Sequence, residues 1–406
     1  MSSISDLPRL NRRAFVAGAA SATICAPALA QHSGHGAQSG VALPEAAPAS
    51  DPFARLQGGT PHHLTTEQIA QRKVESPAPK GPQGRWAPKA ALPLPRSEMA
   101  WATAWAGRMH IVGGYGEGRV DRAYHHVYDA KDDRWFNAAP LPRGANHVAV
   151  VADAGRVYAL GGFIEQNRNP DPNAFAYDVT ADKWTAIAPL SRSRGAAAAV
   201  ALDGKIHLIG GAGAPTNERA SVGWHEVYDP QTDKWEIRKA LPAARDHVGA
   251  VAHNGMIHII GGRFNTFEYN TDLHHVYLPA LDTWKERAPL PTARSGHGLV
   301  VYRDRFFAMG GEYGVTDKGQ ITQGAVFGQM ESYDPQTNTW QSHAPMTTPR
   351  HAVGAATIGD AIYVAGGGAV TGGSVQSSVH EAFSLTAPTP PMSNANPATQ
   401  SRDVAR

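Results

Sequence analysis

The chain has 406 residues, 42% of them hydrophobic and 18% charged, a balance that suits a folded protein with short loops and argues against a disordered one. Its 37 Lys and Arg against 35 Asp and Glu leave a net charge of +2. Arg9, Arg12, Arg13 and Asp6 account for all of that excess, because residues 31–406 hold 34 charges of each sign. Such a balance cannot sustain the positive field that nucleic-acid binding needs, so no nucleic-acid partner is expected.

Residues 1–30 read as an export signal. Asn11-Arg12-Arg13-Ala14-Phe15-Val16 opens an apolar stretch to Ala30, and Ala28-Leu29-Ala30 supplies small residues at a cleavage site. The paired arginines followed by Phe resemble the twin-arginine signal, which implies export after folding and a periplasmic or secreted protein. The apolar run is too short and too rich in Ala and Gly for a membrane span, so no stable span is expected in the mature chain. The one cysteine, Cys25, lies inside this segment, so a chain starting near Gln31 has no thiol, disulfide or cysteine-held metal. Residues 31–83 form a leader rich in Pro, Ala and Gly, with a short helix expected over Leu64–Lys73.

Internal repetition dominates residues 84–386. Gly-Gly pairs start at 113, 161, 210, 261, 310 and 366, and tryptophans stand at 86, 135, 184, 235, 284 and 340. Both series step by 48 to 51 residues, with one step of 56 that marks an insertion near 312–328. One unit begins at Arg245, runs through a small-residue strand to Asn254-Gly255, and continues along a second strand to Gly261-Gly262. A variable loop leads to a third strand at His274-His275-Val276-Tyr277, and Trp284 lies in the fourth. Asp203-Gly204 and Asn254-Gly255 suit tight hairpins that need positive φ, and Asp229-Pro230-Gln231-Thr232 suits a turn between strands three and four. The run Gly195-Ala196-Ala197-Ala198-Ala199-Val200 is small enough to converge with its equivalents around an axis. Residues 387–406 lack apolar periodicity and read as a flexible tail.

The Gly-Gly, Tyr-Asp and Trp pattern at this period resembles the kelch repeat, which forms one four-stranded propeller blade. The expected fold is all-β, a six-bladed kelch-type β-propeller. Trp86 has no strands before it to pair with, whereas three strands near His351–Thr357, Ala361–Ala365 and Val379–Leu385 follow Trp340 without a closing tryptophan. An N-terminal outer strand over residues 84–91 therefore pairs with three C-terminal strands and closes the ring.

Antiparallel strands put the fourth-to-first connections and the variable second-to-third loops on one face, where binding elements are expected. Arg96, Arg143, Arg192, Arg245, Arg294 and Arg350 recur there, one per blade, with Arg194 as an extra in its blade. Two roles suit these arginines: packing against the neighbouring blade through backbone and acid bonds, or an electropositive mouth for a carboxylate. Arg194 and Arg263 break the pattern and are the stronger ligand candidates. Histidines recur too. His147, His247, His297 and His351 start inner strands, while His125, His225, His274 and His380 start third strands beside His126, Glu226, His275 and Glu381. The latter read as hydrogen-bonding spacers, and no metal site is assigned. Glu117, Glu165, Asn217, Asn265, Glu268 and Glu312 share the variable loops with Tyr115, Phe163, Phe264, Phe267 and Tyr313, a mixture that could hold a sugar or a peptide.

The candidate ligand-binding residues are Arg194, Arg245, Arg263, His247, His297 and Glu312. One reading is a binding protein that holds a small polar molecule, glycan or envelope protein through its loop-rich face, without a cofactor. The alternative is a cofactor-free carbohydrate-modifying enzyme. Galactose oxidase is similar in architecture, but it needs a cysteine-crosslinked tyrosine that a cysteine-free mature chain cannot build. Bacterial sialic-acid mutarotases are similar in size and location, and that resemblance implies acid–base groups such as His247, His297 and Glu312, with Arg194 or Arg245 on the carboxylate.

Overall fold

The computed structural model describes residues 83–385 apart from 100, 167, 215–217 and 318–319. The expected signal, the helix at Leu64–Lys73 and the tail at 387–406 lie outside the described residues. Six antiparallel four-stranded sheets form the blades. Their innermost strands are Ala102–Trp105, Ala149–Asp153, Ala198–Leu202, Gly249–His253, Gly298–Tyr302 and Gly354–Ile358. Each packs against the innermost strand of the next blade, and the last against the first. Ala, Gly and Val at these positions let the strands approach, leaving an axial cavity of about 440 Å³ that no titratable side chain lines.

Closure occurs as the sequence predicts. Arg85–Pro88 is the outer strand of the last blade and pairs antiparallel with His380–Ser384, Trp86 opposite Phe383. The Trp86 Nε1–H also donates to Ala344 O at 2.9 Å, which fixes this blade to its neighbour.

The aromatic and acidic punctuation of the repeat clamps blade to blade. Tyr228 donates its hydroxyl to Asp233 at 2.8 Å, and the same carboxylate accepts the Ala188 N–H of the preceding blade at 2.8 Å. Trp235 Nε1–H then donates to Ala188 O at 2.8 Å, so both backbone polar groups of one residue are satisfied across the gap. Tyr177, Asp182, Trp184 and Ala139 repeat this arrangement. Apolar side chains fill the space beneath, with Tyr158, Leu160, Ile206 and Leu208 packed between the second and third blades. Each such buried side chain contributes roughly 1.5–3 kcal/mol.

The paired glycines are required by close approach as well as by φ. Gly162 has φ +103°, and a Cβ there would lie 2.7 Å from Asn146 O. Direct backbone contact at this point draws the loop-rich end of each blade onto the axis.

Candidate functional site at the loop-rich end of the axis

Three repeat-equivalent positions build this end of the molecule. The residue after each Gly-Gly pair bridges to a residue just before an inner strand: Ser97 with Tyr115, Asn146 with Phe163, Gly195 with Ala212, Asp246 with Arg263, Ser295 with Glu312, His351 with Gly368. One position further on, Glu98, His147, Ala196, His247, Gly296 and Ala352 all adopt left-handed backbone, with φ between 47° and 62°. They bond head to tail around the axis: His147 N–H to Glu98 O at 2.9 Å, then Ala196 to His147, His247 to Ala196 and Gly296 to His247 at 3.0 Å, and Ala352 to Gly296 at 2.6 Å. Left-handed backbone costs a non-glycine residue about 1–2 kcal/mol. Each bond in the ring offsets part of that cost and turns the bearing side chain toward its neighbours.

Those side chains form a continuous buried network. Glu98 lies 2.8 Å from His147 Nε2 through one oxygen and 3.0 Å from His351 Nε2 through the other. His351 Nε2 is also 3.2 Å from Glu312 Oε2, and Glu312 Oε1 accepts from Arg263 Nη1 at 2.9 Å. Arg263 reaches Asp246 Oδ1 through Nε at 3.2 Å and His247 Nε2 through Nη2 at 3.0 Å. Its guanidinium lies over the Phe267 ring, 4.3 Å from the centroid.

The donors settle the protonation states. A guanidinium can only donate, so His247 Nε2 accepts from Arg263 and the ring is neutral, with its Nδ1–H on Asp246. Burial, then the Arg263 charge, pushes this imidazole down to about 3 in agreement. His351 is the opposite case. Its Nδ1–H points to Gly368 O at 3.1 Å and its Nε2 to two carboxylates. Burial favours the neutral ring, but Glu312 and Glu98 together outweigh it and raise the group to about 9. Burial also raises the Glu98 carboxyl, yet His147 and His351 overcome it and hold it well below the usual range. Asp246 is held low by the His247 bond and the Arg263 charge against the same desolvation.

Of the sequence-predicted residues, Arg263, His247 and Glu312 come together here. Arg194, Arg245 and His297 do not. Arg194 and Arg245 are buried, with their bonds made inside their own blades: Arg194 pairs with Glu226 and donates to Arg192 O and Leu208 O at 2.9 and 3.1 Å. Arg245 donates to three carbonyls, those of Gly261, Ala243 and Ile259. His297 packs under Gly261 and Gly249. The register of the arginine series is also corrected. The second glycine of each pair donates to the carbonyl of Ala145, Arg194, Arg245, Arg294, Arg350 and Arg96, so Arg194 is the repeat member and the second blade has Ala145 in its place. Arg143 and Arg192 are the out-of-register residues. Both are partly exposed and pair with Asp171 and Glu226.

The third-strand histidines act as spacers. His125, His225 and His274 bond through Nε2 to His110, His207 and His258 at 2.8–2.9 Å. They pack edge-on against Tyr177, Tyr277 and Tyr333 of the next blade. Their acidic neighbours serve the arginines, as Glu331 does for Arg294 at 2.7 Å.

Sequence reasoning missed Glu98, Asp246 and Arg219. Arg219 is exposed and stacks on Phe163 at 4.6 Å, within electrostatic reach of Asp246, Arg263, Tyr115 and Glu98 from two other blades. Among the described residues it has no ion pair. Several predicted loop residues hold the loops to one another: Asn265 bonds Ser221, and Glu268 accepts from Thr316 N at 2.6 Å. Phe264 is buried against Leu273, and Asn217 lies outside the described residues.

Residues 196–386 match the KLHDC2/KLHL20/DRC7 Kelch-repeats domain and residues 145–191 the Kelch motif. The chain contains a kelch-repeat β-propeller. Kelch-like protein terF of Aspergillus terreus is 30% identical over 306 residues, which cover 71% of this chain and 66% of that protein. Kelch-like protein 23 of Mus musculus is 26% identical over 311 residues, 73% of this chain and 41% of that protein. The kelch chain thus spans less than two thirds of these relatives' own lengths. The solved structure of YjhT superposes with a TM-score of 0.59 over 72% of this chain and 95% of that one at 14% identity, a likeness of fold. No helix among the described residues is long and apolar enough to cross a membrane.

Proposed function

We propose that the loop-rich end of the axis binds a small anionic polar molecule of the sugar-acid class, and that the protein acts on it by proton transfer, as a mutarotase or epimerase does. The observation that carries this reading is Arg219. The residue is exposed, and its guanidinium is stacked on Phe163 and has no ion pair among the described residues, with the carboxylates of Asp246 and Glu98 within electrostatic reach. A cation in that state is a ready partner for a ligand carboxylate. Trp224, half-buried and lying under Arg192 at 4.8 Å, offers a ring edge for the sugar face. Mutarotation needs one group to protonate the ring oxygen and one to take a proton from the anomeric hydroxyl. The Glu98–His147 and Asp246–His247 pairs supply donors and acceptors a few ångströms apart, their rings 4.7 Å from each other.

We propose a periplasmic or secreted location, a reading supported by the Arg12-Arg13 pair and by Ala28-Leu29-Ala30 in the sequence. A second reading, recognition without turnover of a small ligand, glycan or envelope protein, is favoured by the burial of Glu98, His147 and His247 at 5% exposure or less. Exchange NMR on freshly dissolved sialic-acid anomers separates the two. Turnover predicts faster exchange with protein than in buffer, lost in Arg219→Ala. Line broadening without acceleration would leave recognition alone, and neither effect would overturn the ligand class.

A further inference from the structure

A different function is latent in the histidines of the same network, and it takes from the reading above only the place of the site. His147 and His247 are each oriented by the side chain immediately before them in sequence. Their Nδ1 atoms face Asn146 Oδ1 and Asp246 Oδ1. The Asn146 amide is fixed in turn, because its Nδ2 donates to Asp121 at 2.7 Å and to Phe163 O at 3.1 Å. Both rings therefore present Nε2 to the axis, where Glu98 joins them, and these three ligand atoms lie within 4.8 Å of one another. A neutral imidazole with its far nitrogen held by an acceptor is how proteins prepare a histidine to bind a metal. The contact between Glu98 Oε2 and His147 Nε2 adds a second sign. It is short, at 2.8 Å, yet this buried oxygen makes no aligned hydrogen bond.

We propose that Glu98, His147 and His247 bind one divalent first-row transition metal ion. Two imidazoles and one carboxylate suit Zn²⁺ or Fe²⁺ better than a hard cation such as Mg²⁺. The ion replaces the contact between Glu98 Oε2 and His147 Nε2 and takes the lone pair that His247 Nε2 now offers Arg263. Arg263 gives up that one bond and keeps Asp246 and Glu312. With Glu98, these carboxylates compensate the added charge.

The test uses the full chain without an affinity tag, stripped with a chelator and titrated with Zn²⁺ by calorimetry, then with Co²⁺ followed by its visible absorption. The expected result is one equivalent bound and a Co²⁺ band of nitrogen–oxygen ligation. Glu98→Gln and His147→Gln should lose saturable binding while keeping the wild-type circular dichroism. Asn146→Ala, which alters only the orienting residue, should weaken binding by about 10–100-fold. Absence of binding in the wild type would overturn the proposal and leave the anomer-exchange result untouched. Binding that persists in both ligand variants would overturn it too, assigning the metal to His32, His35, His62 and His63 of the leader.

Discussion

Replacing Arg194 by Ala distinguishes an architectural arginine from a ligand-binding one. Its guanidinium is fully buried, pairs with a Glu226 carboxylate that is equally buried, and donates to two carbonyls. The truncation would strand Glu226 with Ser191 and the partly exposed Arg192 as its remaining partners, and would free the carbonyl of Leu208. Breaking a buried pair on one side costs about 3–5 kcal/mol, because the surviving charge stays desolvated. Arg192 shields part of it, so about 3 kcal/mol is the better expectation. At roughly 2–4 °C per kcal/mol for a domain of this size, the melting temperature should fall by roughly 6–12 °C. Arg192→Ala is the control. That side chain is partly exposed, and its loss should cost about 1 kcal/mol or less. The assay is thermal and urea unfolding of both variants followed by tryptophan fluorescence. A wild-type melting temperature in Arg194→Ala, together with lost affinity for an anionic sugar, would refute the assignment and return this residue to the ligand site.

Other expectations follow from the same contacts. Trp86→Ala removes the closing bond to Ala344 O and the contact with Phe383, and should cost about 2–3 kcal/mol in urea unfolding. An unchanged midpoint would mean that the outer strand does not hold the ring closed. Asp233→Ala deprives Tyr228 and the Ala188 N–H of their acceptor, and should lower stability by about 1–3 kcal/mol by the same measurement. For pH, burial pushes His110 and His207 down to about 4 and His258 to about 3, against about 6.5 in the unfolded chain. The unfolded state then binds more protons below about 6.5, so the contribution of these three rings is complete above that pH and falls as pH drops toward 4. Urea midpoints at pH 7.5, 6 and 5 should decline in that order, and a flat series would contradict neutral buried rings.

Architecture was legible because each mark of the repeat has one physical use. Gly-Gly can pass where a Cβ would strike Asn146 O or its equivalents, and Trp86 without a preceding blade can only be completed from the other end of the chain. Arg263, His247 and Glu312 were readable as candidates for the same reason: they sit at fixed distances from those marks. The error over Arg194 came from counting arginines rather than spacing. Four residues past each buried Leu92, Leu141, Leu190, Leu241, Leu290 or Met346 stands Arg96, Ala145, Arg194, Arg245, Arg294 or Arg350, and that count alone restores the register. Two residues further lies the left-handed ring, so Glu98 was within reach of the same rule. Arg219 was not, because the second-to-third loops differ in length and sequence from blade to blade, and only the folded chain brings it over Phe163.

A crystal structure of the protein soaked with a sialic acid tests the central claim most directly. Density at the loop-rich end of the axis, with a carboxylate on Arg219 and the ring beside Trp224, is the predicted result. A ligand seated in the 440 Å³ axial cavity, or on the opposite face, would contradict it.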